Sequence, residues 1–186
     1  VPLDTFYLSV DDLEDYIVEK TYAVVGTSTA TEDEVVRGNL ISHLLIVFYY
    51  YGWGHYMLEY LHSKYNLKHL DVIEKLYDYF IDKKDTLIGN EIIQTKSLLN
   101  DVFNKGAFWG RQVLGDDDIF WEYKGATSIV FLENKQKLKE ELNYFIKDIY
   151  DKELTDVLDF NIDVCKDYKE TYPISKTYKK DTLKYT

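Results

Sequence analysis

Residues 31–51 read TEDEVVRGNLISHLLIVFYYY, and this stretch decides the fold class. It opens with a capping box, in which the Thr31 hydroxyl and the Glu34 carboxylate satisfy each other's backbone N–H groups at a helix start. The residues that follow are apolar at helical spacing, along a stripe of Val35, Leu40, Leu44, Val47 and Tyr51. After Ile41 the apolar character extends nearly all round, which indicates a central, buried helix.

Further helices are predicted from the same periodicity and from glycine breaks at Gly52-Trp53-Gly54 and Gly106. Their predicted bounds are about His55 to Tyr65, Asp71 to Lys83, Thr86 to Asn104, Lys135 to Asp151 and Thr155 to Lys169. A short helix is predicted over 11–20 and an extended segment over 21–27, whereas 105–128 is the least regular stretch. The sequence therefore predicts an all-α fold, an irregular bundle of about six to seven helices with at most a minor strand pair.

The length of 186 residues favours one domain, because a chain of this size buries about 70% of its surface on folding. We expect a single helical domain over 1–186, with 1–20 and 171–186 peripheral. The single cysteine, Cys165, excludes an intrachain disulfide framework and is predicted to act as a small core hydrophobe.

The charge balance restricts the partners. The chain has 33 acidic and 22 basic residues, a net charge of −11, which disfavours binding to a phosphate backbone, so no nucleic acid is expected as a partner. No apolar run approaches the roughly 18 residues that would span a bilayer, and the first residues show no signal-peptide pattern. The expected location is cytoplasmic, without a membrane span.

His55, Glu59 and His62 share one predicted helix face. Two imidazoles and a carboxylate are suitable ligands for zinc or non-haem iron, whereas a di-iron bundle would need a second Glu-x-x-His. The same spacing favours a polar stripe that faces solvent on an amphipathic helix, and metal binding is the alternative to it. His43 lies within the apolar helix and is predicted to be buried, with a backbone or tyrosine partner. No residue is assigned a catalytic role.

Aromatic residues are unusually abundant, with Trp 3, Tyr 18 and Phe 9. Many fall at core spacing, but a smaller set does not, namely the run 49–53 and the loop tryptophans. With a neighbouring arginine, this set forms the candidate binding surface: Tyr49, Trp53, Trp109, Arg111 and Trp121. For this loop, the expected arrangement is a structured loop whose Trp109 packs into the helix layer, and the alternative is that Arg111 faces a partner or an anionic ligand.

Several segments, taken in order, resemble the C-terminal helical region of cobalamin-binding radical SAM proteins. This group includes anaerobic magnesium-protoporphyrin IX monomethyl ester oxidative cyclases. The segments are YAVVGTSTAT (22–31), GWGHY (52–56) leading into Tyr60-Leu61, YDYF (77–80), GAFWG (106–110) and IFWE (119–122). The resemblance covers about residues 20–150.

The resemblance implies an iron–sulfur cluster, S-adenosylmethionine and cobalamin for the full-length enzymes only. This chain lacks both the three-cysteine cluster motif and the Asp-x-His-x-x-Gly motif of the cobalamin module, so we expect no cofactor in it. The resemblance then implies a non-catalytic helical accessory domain, with a radical SAM/cobalamin catalytic region as its partner in cis or in trans. The alternatives are a stand-alone protein-interaction module and a helical metal-binding oxidoreductase. A homo-oligomer is left open as a further kind of assembly.

Overall fold

The structure, a computed structural model, describes residues 2–3, 21–22, 24–106, 109–113 and 120–165. These residues form seven α-helices and two short antiparallel strand pairs, so the predicted all-α class is confirmed. The helices are α1 Glu32–Leu45, α2 His55–Tyr65, α3 His69–Phe80, α4 Leu87–Lys105, α5 Tyr123–Glu133, α6 Lys135–Tyr150 and α7 Thr155–Asp163. The strand pairs are β1 Pro2–Leu3 with β2 Thr21–Tyr22, and β3 Gly110–Gln112 with β4 Phe120–Glu122. The helix predicted over 11–20 and the segment 171–186 lie outside the described residues.

The helix ends follow local capping signals. The capping box of α1 forms as predicted, with the Glu34 N–H donating to the Thr31 hydroxyl and the Thr31 N–H donating to the Glu34 carboxylate. Gly106 ends α4 in the left-handed region at φ 69°, which is also as predicted. In contrast, the first half of α5 falls within the stretch 105–128, which was predicted to be irregular. Its first turns are built from small residues, Gly125 to Ser128, which provide little periodic signal.

The end of the central helix differs from the prediction. Residues Ile46–Tyr50 form a π-helical turn, and the Tyr51 N–H donates to the Ile46 carbonyl at 2.9 Å. A π turn inserts one residue relative to an α-helix and rotates every later side chain about the axis. Tyr51, predicted on the buried stripe, is therefore 48% exposed, and Tyr50 is 71% exposed. The prediction for Tyr51 was wrong for this reason.

The core surrounds α1, which packs against α3 and α4 while its π turn packs against α5. Leu40, Leu44 and Val47 are almost completely buried, so the predicted central position of this helix is confirmed. Phe48 of the π turn contacts Phe131 of α5, with 5.6 Å between ring centroids. Helix α7 packs against α2 and α6 and thereby closes the bundle beside the π turn.

Asn161 of α7 holds the break between the π turn and α2. Its amide nitrogen donates to the carbonyls of Gly52 (3.0 Å) and Trp53 (2.8 Å). Its amide oxygen accepts from the N–H groups of Tyr56 (2.8 Å) and Met57 (3.4 Å), and thereby caps α2. The side chain is fully buried and uses both its donors and its acceptor. The backbone of this break is therefore fixed from α7.

Candidate functional site

The break between the π turn and α2 presents three exposed tyrosines. Tyr50, Tyr51 and Tyr56 are 71%, 48% and 41% exposed, and we call them the tyrosine surface. Large aromatic side chains at the surface are typical of sites that bind another molecule, because a tyrosine can bury much apolar area at little entropic cost. The backbone near these side chains is fixed by the π turn and by the hydrogen bonds from the Asn161 amide to the chain between the π turn and α2.

A row of rings in edge-on or tilted contact supports this surface. Tyr50 contacts Tyr49 edge-on at 5.2 Å, and Tyr49 contacts His55 at 4.8 Å. His55 in turn contacts Tyr56 at 5.2 Å, and Tyr56 contacts Phe160 of α7 at 4.8 Å. The exposed rings of Tyr50 and Tyr56 thus belong to one continuous aromatic row that ends on α7. Such contacts restrict the side-chain rotamers as well as the backbone.

The three predicted metal ligands lie along α2, and each of them contacts other groups. Glu59 accepts a hydrogen bond from the Tyr49 hydroxyl at 3.0 Å, and its carboxylate lies 3.6 Å from His69 Nε2. The Nδ1 atoms of His55 and His62 each lie near a backbone carbonyl, at 3.3 and 3.1 Å. The Tyr49 ring contacts both His55 and His69, and His69 contacts His62.

Among the described residues, no group of three or more His, Cys, Asp or Glu side chains is placed to hold a metal ion. The metal hypothesis for His55, Glu59 and His62 stays a prediction, and metal analysis of protein purified without a histidine tag is its test.

The three tryptophans of the predicted binding surface lie in different environments, some in the core and one on the surface. Trp53 is only 5% exposed and donates from Nε1 to the Ser128 hydroxyl at 2.9 Å, so its assignment to the surface is corrected to the core. Gly52, the residue before Trp53, has a φ of 93°, in the region that favours glycine. Trp109 packs between Phe103 and Tyr123, as predicted for this loop. Trp121 is 38% exposed and remains on the surface.

Arg111 is also corrected, because its guanidinium forms an ion pair with Glu91 instead of facing outward. Glu91 of α4 is 1% exposed, and burial raises the pKa of its carboxyl although Arg111 opposes this. The Thr127 hydroxyl forms a hydrogen bond with the Glu91 carboxyl group and also lies 3.3 Å from His43 Nε2. The Tyr123 ring stacks on the His43 ring at 5.0 Å. His43 is therefore buried, as predicted. Its side-chain hydrogen-bond partner is the Thr127 hydroxyl, whereas a backbone group or a tyrosine was predicted.

This buried network predicts a pH dependence of stability. Burial, together with the charges of Lys124 and Arg111, lowers the pKa of His43 to about 3. Between about pH 3 and pH 6.5 the unfolded chain binds a proton at this histidine and the folded chain does not, so stability falls as the pH falls. From about pH 7.5 to pH 4.5, the wild-type chain should lose about 2–3 kcal/mol more of its free energy of unfolding than His43→Gln loses.

Urea unfolding of both proteins at the two pH values measures this difference. Glu91 titrates in both proteins, so its contribution cancels in the comparison. Equal losses in the two proteins would show that His43 is protonated in the folded state.

Cys165, the chain's single thiol, does not fit an iron–sulfur cluster. Its Sγ donates to the Asn161 carbonyl at 3.3 Å, and burial raises the pKa of the thiol to about 11 although Lys135 opposes this. A cluster ligand needs an accessible thiolate and further cysteines. The described residues therefore do not fit the cluster that the resemblance implies for the full-length enzymes.

Sequence reasoning singled out the run 49–53 but chose Tyr49 and Trp53 within it, where the structure exposes Tyr50 and Tyr51. The triple tyrosine was the available signal, but the π turn decides which rings point outward. No helix in the described part of the chain is long and apolar enough to cross a membrane. No protein-family model matches the chain, and no curated protein matches it significantly.

Proposed function

We propose that this chain is a non-catalytic helical accessory domain that docks, through the tyrosine surface, on the catalytic region of a cobalamin-binding radical SAM enzyme in cis or in trans. The observation that carries the proposal is the exposure of Tyr50 and Tyr51 on a backbone fixed by the π turn and by Asn161. The kind of partner is inferred from the resemblance, whose segment GWGHY lies directly beside these tyrosines.

Rigidity favours docking because it reduces the entropy lost on binding. An exposed tyrosine on a mobile loop would have to be ordered at a cost of about 0.5–1.5 kcal/mol per side chain. Tyr50 already packs edge-on against Tyr49, whose hydroxyl is held by Glu59. A partner would thus bind aromatic side chains that are already ordered. Tyrosine is one of the residue types that contribute most of the binding energy in protein interfaces.

The proposed arrangement has the tyrosine surface at the boundary between this chain and the catalytic region. In the proposed arrangement this chain covers a substrate site that the catalytic region builds, and its own residues exclude water and shape the wall of that site. The cluster, S-adenosylmethionine and cobalamin stay with the catalytic region, and the single, partly buried thiol of this chain supports this division. The chemistry is therefore assigned to the partner and the docking to this chain.

Titration calorimetry with a cobalamin-binding radical SAM catalytic region from the same genome, produced as a separate chain, tests this proposal. Tyr50→Ser combined with Tyr51→Ser should weaken binding by about 30-fold or more, because removing a central interface residue costs about 2 kcal/mol or more. Thermal unfolding should change little, since both side chains are largely exposed.

Tyr144→Ser is the matched control, because Tyr144 on α6 is 65% exposed and outside the aromatic row. It should leave the affinity unchanged. The proposal fails if the catalytic region does not bind the wild-type chain, or if Tyr144→Ser weakens binding as much as the double variant does.

A further inference from the structure

A groove of about 380 Å³ lies between α2 and α7 and begins at Tyr56. Three aromatic rings and two carboxylates line it beside an aliphatic side chain, namely Tyr56, Tyr60, Phe160, Glu59, Asp156 and Val157. Its volume falls in the range that is typical of sites for small organic molecules. We therefore ask which molecule the arrangement of its side chains suits.

Two of the aromatic rings meet at a corner of the groove. The Tyr56 ring on α2 contacts the Phe160 ring on α7, with 4.8 Å between the ring centroids and 66° between the ring planes. The backbone beside this corner is fixed, because the Tyr56 N–H donates to the Asn161 amide oxygen at 2.8 Å. Two rings at such an angle offer a third ring one edge-on and one stacked contact. The corner therefore suits an aromatic ring.

The two carboxylates lie one helical turn away from this corner. Glu59 follows Tyr56 by three residues on α2, and Asp156 precedes Phe160 by four residues on α7. These separations correspond to about 4.5 and 6 Å along the helix axes. The two helices run antiparallel, since Asn161 near the end of α7 caps the start of α2. Both carboxylates are therefore displaced from the corner in the same direction along the groove.

The Glu59 carboxylate is held in place by residues outside the groove lining. Its Oε1 atom accepts a hydrogen bond from the Tyr49 hydroxyl at 3.0 Å and lies 3.6 Å from His69 Nε2. Both of these contacts use Oε1, so neither of them occupies Oε2. A ligand could thus bind Oε2 of a carboxylate whose orientation is already restricted.

The charge around the groove is negative. None of the described residues that line it is basic, and an adjoining cavity of about 430 Å³ adds the carboxylate of Glu153. Lys64 of α2 donates to the Tyr60 hydroxyl at 2.5 Å. No group of three or more His, Cys, Asp or Glu side chains in the described part of the chain is placed to hold a metal ion. The cation that the groove suits is therefore an organic ammonium.

We infer that the α2–α7 groove binds a small arylalkylamine, with its aromatic ring in the corner of Tyr56 and Phe160 and its ammonium group between the carboxylates of Glu59 and Asp156. An arm of two carbon atoms places an ammonium about 5 Å from the centre of its ring, which matches the offset of the carboxylates from the corner. The inference stands apart from the proposed function, because it uses neither Tyr50 nor Tyr51 and needs no partner protein.

Titration of phenethylammonium chloride into the intact, isotope-labelled chain at pH 7 and constant ionic strength, followed by amide chemical shifts, tests the inference. This probe has about nine non-hydrogen atoms and should bind with a Kd of about 1 mM. The saturable shifts should lie in 56–63 and 156–160. Two further probes separate ring from charge: 2-phenylethanol lacks the charge and n-butylammonium lacks the ring, and each should bind about fivefold more weakly or less tightly still.

Two substitutions separate the two halves of the site. Asp156→Asn should weaken the binding of phenethylammonium about threefold to fivefold and leave that of 2-phenylethanol unchanged. Phe160→Leu should weaken the binding of both probes, because it removes one wall of the corner. Asp101→Asn makes the same charge change on α4, outside the groove lining, and should leave every affinity unchanged. The amide spectrum of each variant shows whether it is folded.

Four results would overturn the inference. Phenethylammonium could cause no saturable shift up to about 10 mM, ten times the expected Kd. The shifts could lie outside the two groove segments. Asp101→Asn could weaken binding as much as Asp156→Asn does. Nα-acetyl-lysine amide could bind as tightly as phenethylammonium, which would assign the groove to a lysine side chain of another protein.

Discussion

Gly89→Ala is expected to lower the free energy of unfolding by about 3–5 kcal/mol, which makes it one of the most damaging single changes in this chain. A Cβ atom at Gly89 would lie 2.2 Å from the Lys83 carbonyl oxygen, 2.7 Å from that of Phe80 and 2.7 Å from the Thr86 hydroxyl. Two of these oxygens belong to the backbone at the end of α3 and just beyond it, so they cannot move aside as a flexible side chain would. The chain must shift the start of α4 instead.

Gly38→Ala is the matched control, because Gly38 also lies in a helix but a Cβ atom there would meet nothing within 4 Å. It should raise the free energy of unfolding by about 0.5–1 kcal/mol through the better helix propensity of alanine. Urea unfolding of both variants measures the difference. A loss below about 1 kcal/mol for Gly89→Ala, the ordinary cost of a substitution, would contradict the close approach of α3 to α4.

Glu141→Ala is expected to cost about 3 kcal/mol or more, because it leaves two buried N–H groups unpaired. The Glu141 carboxylate, on α6, accepts from the N–H groups of Leu87 (2.6 Å) and Ile88 (2.9 Å) at the start of α4. Its negative charge also lies at the positive end of the α4 dipole. No water replaces these bonds easily, since Glu141 is only 8% exposed and Leu87 and Ile88 are also buried.

The adjacent Glu140 provides the control. It is exposed, and its carboxylate accepts a hydrogen bond from the Gln136 amide on the same helix. Glu140→Ala should change the unfolding free energy by about 0.5 kcal/mol or less. If the two alanine variants unfold alike in urea, the cap of α4 by α6 is not present in solution.

Elements with their own local signals were predictable. The capping box at Thr31, the glycine at 106 and the clean amphipathic pattern of α3, α4 and α6 each identify a helix without reference to the rest of the chain. The helix α2 was predicted with the bounds that the structure shows. The buried state of His43 followed from its place within a largely apolar helix.

The features that the sequence did not reveal depend on contacts between distant residues. Asn161 caps α2 from more than 100 residues away, and the ion pair of Glu91 with Arg111 joins α4 to β3. Neither pairing leaves a local pattern. The π turn was also not predicted from the sequence. Because it inserts one residue, Tyr51 lies on the surface and not on the expected buried stripe.

Hydroxyl-radical footprinting of the complex with the cobalamin-binding radical SAM catalytic region tests the central proposal most directly, because it reports the exposure of individual aromatic side chains. The docking proposal predicts that the partner protects Tyr50 and Tyr51, while Phe120, Trp121 and Tyr144, which are also exposed in the free chain, keep their oxidation rates. Protection of Phe120 and Trp121 with unchanged oxidation of Tyr50 and Tyr51 would contradict the assignment of the tyrosine surface as the docking site.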